Sequence, residues 1–149
     1  MFEPKKILVP TDFSASSDKA IQEAIDIAEK YHSKVYVLHV IEKGVQQCAA
    51  DYCLPNEVVE QFEHESVNAS TQKMHQEVSK LNKVDAVDIT FDVKKGIAYD
   101  EILNEQKQND IDLIIMASHG RSGLLHFKLG SVADKVVKKS ASQVLLVKA

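Results

Sequence analysis

No apolar run in this chain is longer than about five residues, whereas a membrane-spanning helix needs roughly 18. The opening MFEPKKILVP also lacks a cationic segment followed by 7 or more apolar residues, so a secretory leader is not expected. These two absences make a cytoplasmic protein without a membrane role the expectation. A basic excess is missing as well. The net charge is −4, which argues against nucleic acid as the main partner. No GxxxxGK[ST] occurs, which sets aside a P-loop nucleotide hydrolase. Cysteines number only two, Cys48 and Cys53. Their spacing matches no common metal motif, so a redox pair, or a zinc site completed by His39 or His64, is a weaker reading than two free cytosolic thiols. Internal repeats, linker-like stretches and hairpin turn signals are absent too, so residues 1–149 are read as one domain.

What is present is an alternation of short apolar runs and amphipathic segments. Residues 6–10 (KILVP) read as a buried strand ended by proline. Ser14, Ser16 and Ser17 then offer N-caps to a helix whose apolar stripe is Ala20, Ile21, Ala24, Ile25 and Ala28. Residues 34–41 (KVYVLHVI) are β-branched and aromatic, as a second buried strand requires. An irregular, exposed loop is expected over 42–55, followed by a helix over 56–81 anchored by Val58, Val59, Phe62, Met74, Val78 and Leu81. Its His64 and His75 read as solvent-facing. Val87, Ile89, Phe91 and Val93 alternate with Asp88, Thr90 and Asp92, the period of a strand with one wet face at a sheet edge. Gly96 turns the chain into a short helix over 98–108, 113–117 forms a fourth strand, 131–140 a last helix, and 143–148 a fifth strand. Strands separated by helices imply a single doubly wound α/β domain, a five-stranded parallel sheet covered by helices on both faces, in the order 3-2-1-4-5.

That order places the reversal between strands one and four, and ligands of such sheets bind in the crevice at the strands' carboxyl ends. Strand one ends at Pro10, Thr11 and Asp12. Strand four ends at Met116 and Ala117 and leads through a glycine-bearing loop to Gly130-Ser131, which opens a helix. A strand, a glycine loop and a helix N-terminus in sequence build a phosphate site. From 118 to 140, Arg121, Lys128, Lys135, Lys138 and Lys139 face Asp134 alone, a basic patch suited to an anion. Lys138 and Lys139 equally complement a helix dipole. Arg121, His126 and Lys128 are read either as phosphate partners or as solvated loop charges, and Gly123 as a loop hinge. Ser118 and His119 invite a nucleophile reading, but neighbouring side chains on a turn rarely face each other and no third partner is evident.

The segments 7–14 (ILVPTDFS), 37–40 (VLHV) and 117–147 (ASHGRSGLLHFKLGSVADKVVKKSASQVLLV) resemble the universal stress protein family, in its nucleotide-binding branch. The resemblance implies a Rossmann-like fold of the adenine nucleotide alpha hydrolase type. It also implies an adenine nucleotide, ATP foremost with AMP and cyclic AMP as alternatives, accompanied by Mg2+ or Mn2+. The family's Gly-x2-Gly-x9-Gly-Ser/Thr motif falls here on Ala117, Gly120 and Gly130-Ser131, so its first glycine is replaced. If Ala117 has negative φ, its methyl does little beyond crowding a ligand; positive φ would cost on the order of 1 kcal/mol.

In this reading Gly120 and Gly130 let backbone amides approach phosphate, and Ser131 adds a hydroxyl. Asp12 lies beside the ribose or a divalent ion, and Val40 meets adenine through its backbone. Pro10, Thr11, Met116, Arg121, Val132 and Ala133 line the site. The last strand carries a continuously apolar Val144, Leu145, Leu146 and Val147 at a sheet edge that needs cover. Twofold antiparallel pairing with a second copy supplies it, and the resemblance implies the same homodimer. The expected role is an ATP-binding stress-response or regulatory protein with little or no catalysis. The alternatives are an interaction module of the same family that does not bind nucleotide, and a slow ATPase for which Asp12 is the one nameable base.

Overall fold

In the computed structural model, residues 1–42, 54–120 and 128–148 are described. The chain runs β1 (Lys6–Pro10), α1 (Ala15–Tyr31), β2 (Lys34–Glu42), α2 (Asn56–Ser79), a 3-10 turn (Val84–Ala86), β3 (Asp88–Gly96), α3 (Ala98–Gln108), β4 (Leu113–Ala117), α4 (Ser131–Lys139) and β5 (Gln143–Val147). All strand pairs are parallel and the order is β3-β2-β1-β4-β5. The expected doubly wound α/β sheet is therefore the observed one.

Side chains alternate across a strand, and the inner strands are apolar at successive positions, so the sheet feeds two cores. On one face Ile7, Val9, Val35, Val37, Leu113 and Ile115 meet Ala20, Ile21, Ala24, Ile25 and Ala28 of α1 and Met74 and Val78 of α2. On the other, Leu8, Leu38, Ile114 and Met116 meet Ile102 of α3 and Ala133 and Val136 of α4. Each fully buried aliphatic contributes about 1.5–3 kcal/mol, which fixes the register of the strands that end at the crevice.

Of the three candidate serines, Ser14 is the cap of α1: its Oγ accepts the Ser17 N–H at 3.2 Å. β3 is an edge strand, with Ile89, Phe91 and Val93 packed on the first core. Two expectations for α2 need correction. Val58 and Phe62 do not anchor it; they are 45% and 48% exposed, and Met74 and Val78 alone are buried. The helix is about 36 Å long at 1.5 Å per residue, and both of its buried residues fall in its last two turns. His75 is exposed but not simply solvated, because its ring caps Phe91 at 4.1 Å between centroids. The expectations for Cys48, Cys53, Arg121, Gly123 and His126 lie outside the described residues. Among the described residues no helix is long and apolar enough to cross a membrane.

Candidate functional site

β1 and β4 are neighbours in the sheet but leave it in different directions, the first into α1 and the second toward α4. Between their carboxyl ends opens a cleft of about 530 Å3. Pro10, Thr11, Asp12, Val40, Met116, Ala117, Gly120, Gly130, Ser131, Val132 and Ala133 all line it, so every expected site residue that is described sits on one cavity.

The β1 side is a tightly bonded turn. Thr11 is buried; its Oγ1 accepts the Phe13 N–H at 3.1 Å and meets Ser17 Oγ at 3.0 Å. Asp12 Oδ1 accepts the Ser14 N–H at 2.9 Å, so this carboxylate both shapes the turn and fronts the cleft. The turn carries strain as well, since Phe13 has φ 63°, a left-handed value that a bulky aromatic adopts only when its surroundings enforce it.

Across the cleft, the two glycines serve purposes that sequence spacing does not reveal. A Cβ at Gly120 would stand 2.8 Å from Asp12 Oδ2, so the missing side chain is what lets β4's exit lie against the β1 turn. A Cβ at Gly130 would stand 3.1 Å from the Ser118 carbonyl oxygen and 3.4 Å from His119 Cα. Gly130 also donates its own N–H to that carbonyl at 2.8 Å, so this amide is spent within the protein and does not remain for a phosphate. The amides left over belong to the next three residues. The first bond of α4 runs from Asp134 N to Gly130 O, and among the described residues no side chain caps the helix, so the usual unpaired N–H groups of its first turn, at Ser131, Val132 and Ala133, and the positive end of its dipole border the cleft.

Ala117 is the last residue of β4, paired with Val147, and is not among the residues of positive φ. The missing glycine therefore introduces no left-handed backbone strain, and Ala117 lines the cleft.

The far end of the cleft comes from β2. β1 stops pairing at Pro10↔Leu38, and Thr11 N bonds Leu38 O at 2.8 Å, while β2 continues beside β3 to Glu42↔Gly96. Backbone groups alternate between the two edges of a strand, so Val40 presents its N–H and C=O on the same edge as Leu38, where β1 has already turned away. This leaves a donor and an acceptor side by side on an apolar wall that includes Leu38, Ile102 and Met116.

Sequence reasoning missed His39, Ser17, Ala98, Ile102, Ser118 and His119 as lining residues. Ala98 and Ile102 had a signal: α3 begins just where the sheet's carboxyl edge must be covered. Ser118 and His119 also correct an expectation, because their side chains do meet, Oγ to Nδ1 at 3.0 Å. Ser118 is fixed from both sides, its N–H on Val147 O and its carbonyl on Gly130 N, and this folds the chain so that the neighbours turn together. His119 Nε2 is buried with no hydrogen-bond partner among the described residues, so no carboxylate orients the ring as a hydrolytic triad requires.

Among the described residues no cluster of three or more His, Cys, Asp or Glu side chains could hold a metal ion. Asp12 lines the same cleft as Ser131, Val132 and Ala133. One carboxylate suits an ion that arrives with phosphates and keeps water, as Mg2+ does, and does not suit a resident protein-caged metal.

An open, doubly wound parallel sheet with an uncapped helix N-terminus facing its switch-point crevice is the class of domain defined by these features. The chain belongs to the universal stress protein family, whose model matches residues 3–148. It is 34% identical to universal stress protein MJ0577 of Methanocaldococcus jannaschii over 97% of this chain and 94% of the relative. To MJ0531 of the same organism it is 32% identical, over 97% and 82%. The solved structure of MJ0577 matches with a TM-score of 0.83 at 29% identity, over 99% of this chain and 98% of that one. That of UspA from Lactobacillus plantarum gives a TM-score of 0.80 at 23% identity over 99% of both chains, a likeness of fold.

Proposed function

We propose that this protein binds an adenine nucleotide, ATP foremost, in the cleft between β1 and β4 and acts as a stress-response or regulatory module with little or no catalysis. The carrying observation is that one cavity joins the uncapped amides of Ser131, Val132 and Ala133 at one end to the open Val40 backbone edge at the other. The first end suits phosphate. The second suits adenine, whose N6 amine donates to a carbonyl while N1 accepts an N–H; guanine reverses both roles and leaves each group unpaired. The apolar wall between them suits the faces of a base.

Asp12 would share a divalent ion with the phosphates or meet the ribose. A bound Mg2+ or Mn2+ supplies charge neutralisation there. Pro10, Thr11, Met116 and Ala117 shape the floor. Ala117 narrows it without strain and so moderates affinity but does not abolish it. β5 is the last strand of the sheet, paired with β4 on one edge, and Leu145 of its apolar run is 37% exposed; pairing its other edge with a second copy gives the homodimer.

Denaturing freshly purified protein and chromatographing the supernatant, with calorimetric titration of ATP and Mg2+, tests the reading. Released adenine nucleotide or a saturable heat supports it. No nucleotide together with no heat refutes it and favours the interaction-module alternative. Single-turnover ATP assays on the parent and Asp12→Asn separate binding from slow hydrolysis.

A further inference from the structure

His39 lies on β2 one residue beyond the last β1 pair, where the sheet opens into the cleft. Its Nδ1 is 2.8 Å from the Thr11 carbonyl oxygen. A carbonyl only accepts, so Nδ1 carries the proton and the ring donates into the turn. The same ring rests on Phe13, 4.3 Å between centroids and tilted by 39°. On Phe13 also sits the Lys73 ammonium of α2, 4.6 Å from the ring centroid. Thr11 and Phe13 flank Asp12, and Phe13 is the residue held at left-handed φ. His39 thus grips both neighbours of the cleft carboxylate, one by its backbone and one by its ring.

We infer that His39 is a positioning residue for Asp12: its Nδ1–H bond to the Thr11 carbonyl sets the turn that presents the Asp12 carboxylate beside Gly120. The inference deepens the nucleotide reading and rests on it for its effect on binding. Without the bond, the Thr11 N–H on Leu38 O is left as the backbone tie between this turn and β2, and the strained φ at Phe13 favours relaxation of the residues beyond it. Asp12 would then leave the position that the missing side chain at Gly120 accommodates.

Two substitutions separate the donor from the ring. Asn places an amide N–H where Nδ1 was and removes the ring; Phe keeps a ring and removes the donor. Two readouts follow. The first needs no ligand: hydrogen exchange of the Ser14 amide, which bonds Asp12 Oδ1. It should quicken about tenfold in His39→Phe, the loss of one hydrogen bond's worth of protection, and by less than about threefold in His39→Asn, with core amides unchanged. The second is calorimetric affinity for ATP with Mg2+, where His39→Phe should lose about tenfold and His39→Asn little. In an Asp12→Ala background His39→Phe should cost nothing further.

Equal Ser14 exchange in His39→Phe and the parent overturns the inference. So does an equal loss in His39→Asn, or an affinity loss that persists undiminished beside Asp12→Ala. If the parent binds no ATP, the nucleotide reading fails, while the exchange experiment still decides whether His39 sets the turn.

Discussion

The two glycines that border the cleft face different neighbours, and replacing each by alanine should separate stability from ligand affinity. Gly130 has φ −59° and ψ 152°, a conformation open to any residue, so alanine there meets no backbone penalty of its own. Its Cβ instead meets main chain: Ser118 O at 3.1 Å, His119 Cα at 3.4 Å and Gly120 N at 3.7 Å. Main chain in a bonded turn gives way poorly. Overpacking of this kind costs about 1–3 kcal/mol, and the smaller unfolded-state entropy of alanine returns about 0.4–1 kcal/mol. Gly130→Ala should therefore lose about 1–2 kcal/mol, a fall in Tm of roughly 2–4 °C per kcal/mol for a chain of this size.

Gly120→Ala puts its Cβ 2.8 Å from Asp12 Oδ2, a closer approach but to the far end of a side chain that can rotate away. Rotation loses the bond from Ser14 N–H, about 0.5–1.5 kcal/mol, against the same entropic return, so net stability should change by about 1 kcal/mol or less. ATP affinity in the presence of Mg2+ should nonetheless fall about tenfold, because the carboxylate has left its place. Urea unfolding and calorimetric titration of both variants test this. Gly120→Ala as the more destabilised protein, or both variants keeping parental stability, would refute the steric assignment.

Glu105 of α3 is buried, and burial first, then Asp92, raise its pKa from the ordinary 4.5, against the opposing pull of Lys94 and the Asn109 amide. The folded state thus holds this proton more tightly than the unfolded state, and the associated stability is complete below about pH 4.5 and lost as pH rises through the folded value. Glu105→Gln should gain stability over the parent on going from pH 4 to pH 7 in urea titrations; an unchanged difference would count against the burial argument. ATP should bind about tenfold or more tightly than GTP in competition titrations, since guanine would leave two Val40 groups unpaired, and equal affinity would remove Val40 from the base site. Leu145→Lys should convert a dimer to a monomer in sedimentation without lowering Tm appreciably, because the side chain is 37% exposed; a persistent dimer would place the interface elsewhere.

Sheet order and the limits of β1 and β4 were legible because they follow from local pattern, whereas β3 runs on through Gly96, read as a turn, and the Val40 end of the cleft was implied only by the family resemblance. The runs at 6–10 and 113–117 are short, apolar and abruptly ended, and their parallel placement leaves one crevice. The first half of α2 was not legible. Val58 and Phe62 have the composition of core anchors, but whether a helix end reaches the sheet depends on its length relative to the strands below, which periodicity does not encode. His39 was legible only as a possible zinc partner of the cysteines: on a strand its side chain reads as alternation, and its bond to the Thr11 carbonyl follows from β1 ending its pairing at Leu38.

The glycine motif shows where sequence spacing and physical cause part. Spacing marks Gly120 and Gly130 as a phosphate loop, yet the space of one is taken by Asp12 and of the other by the Ser118–His119 main chain. Their shared effect is to draw the β1 turn, the end of β4 and the start of α4 together, so that three elements remote in sequence converge on one volume. That explains how alanine can stand at 117 while glycine stands at 120 and 130. Ala117 is a strand residue without positive φ that lines the cleft, whereas a methyl at either other position would meet the protein itself. In this chain the two retained glycines let the walls approach, and the replaced one ends a strand at the cleft.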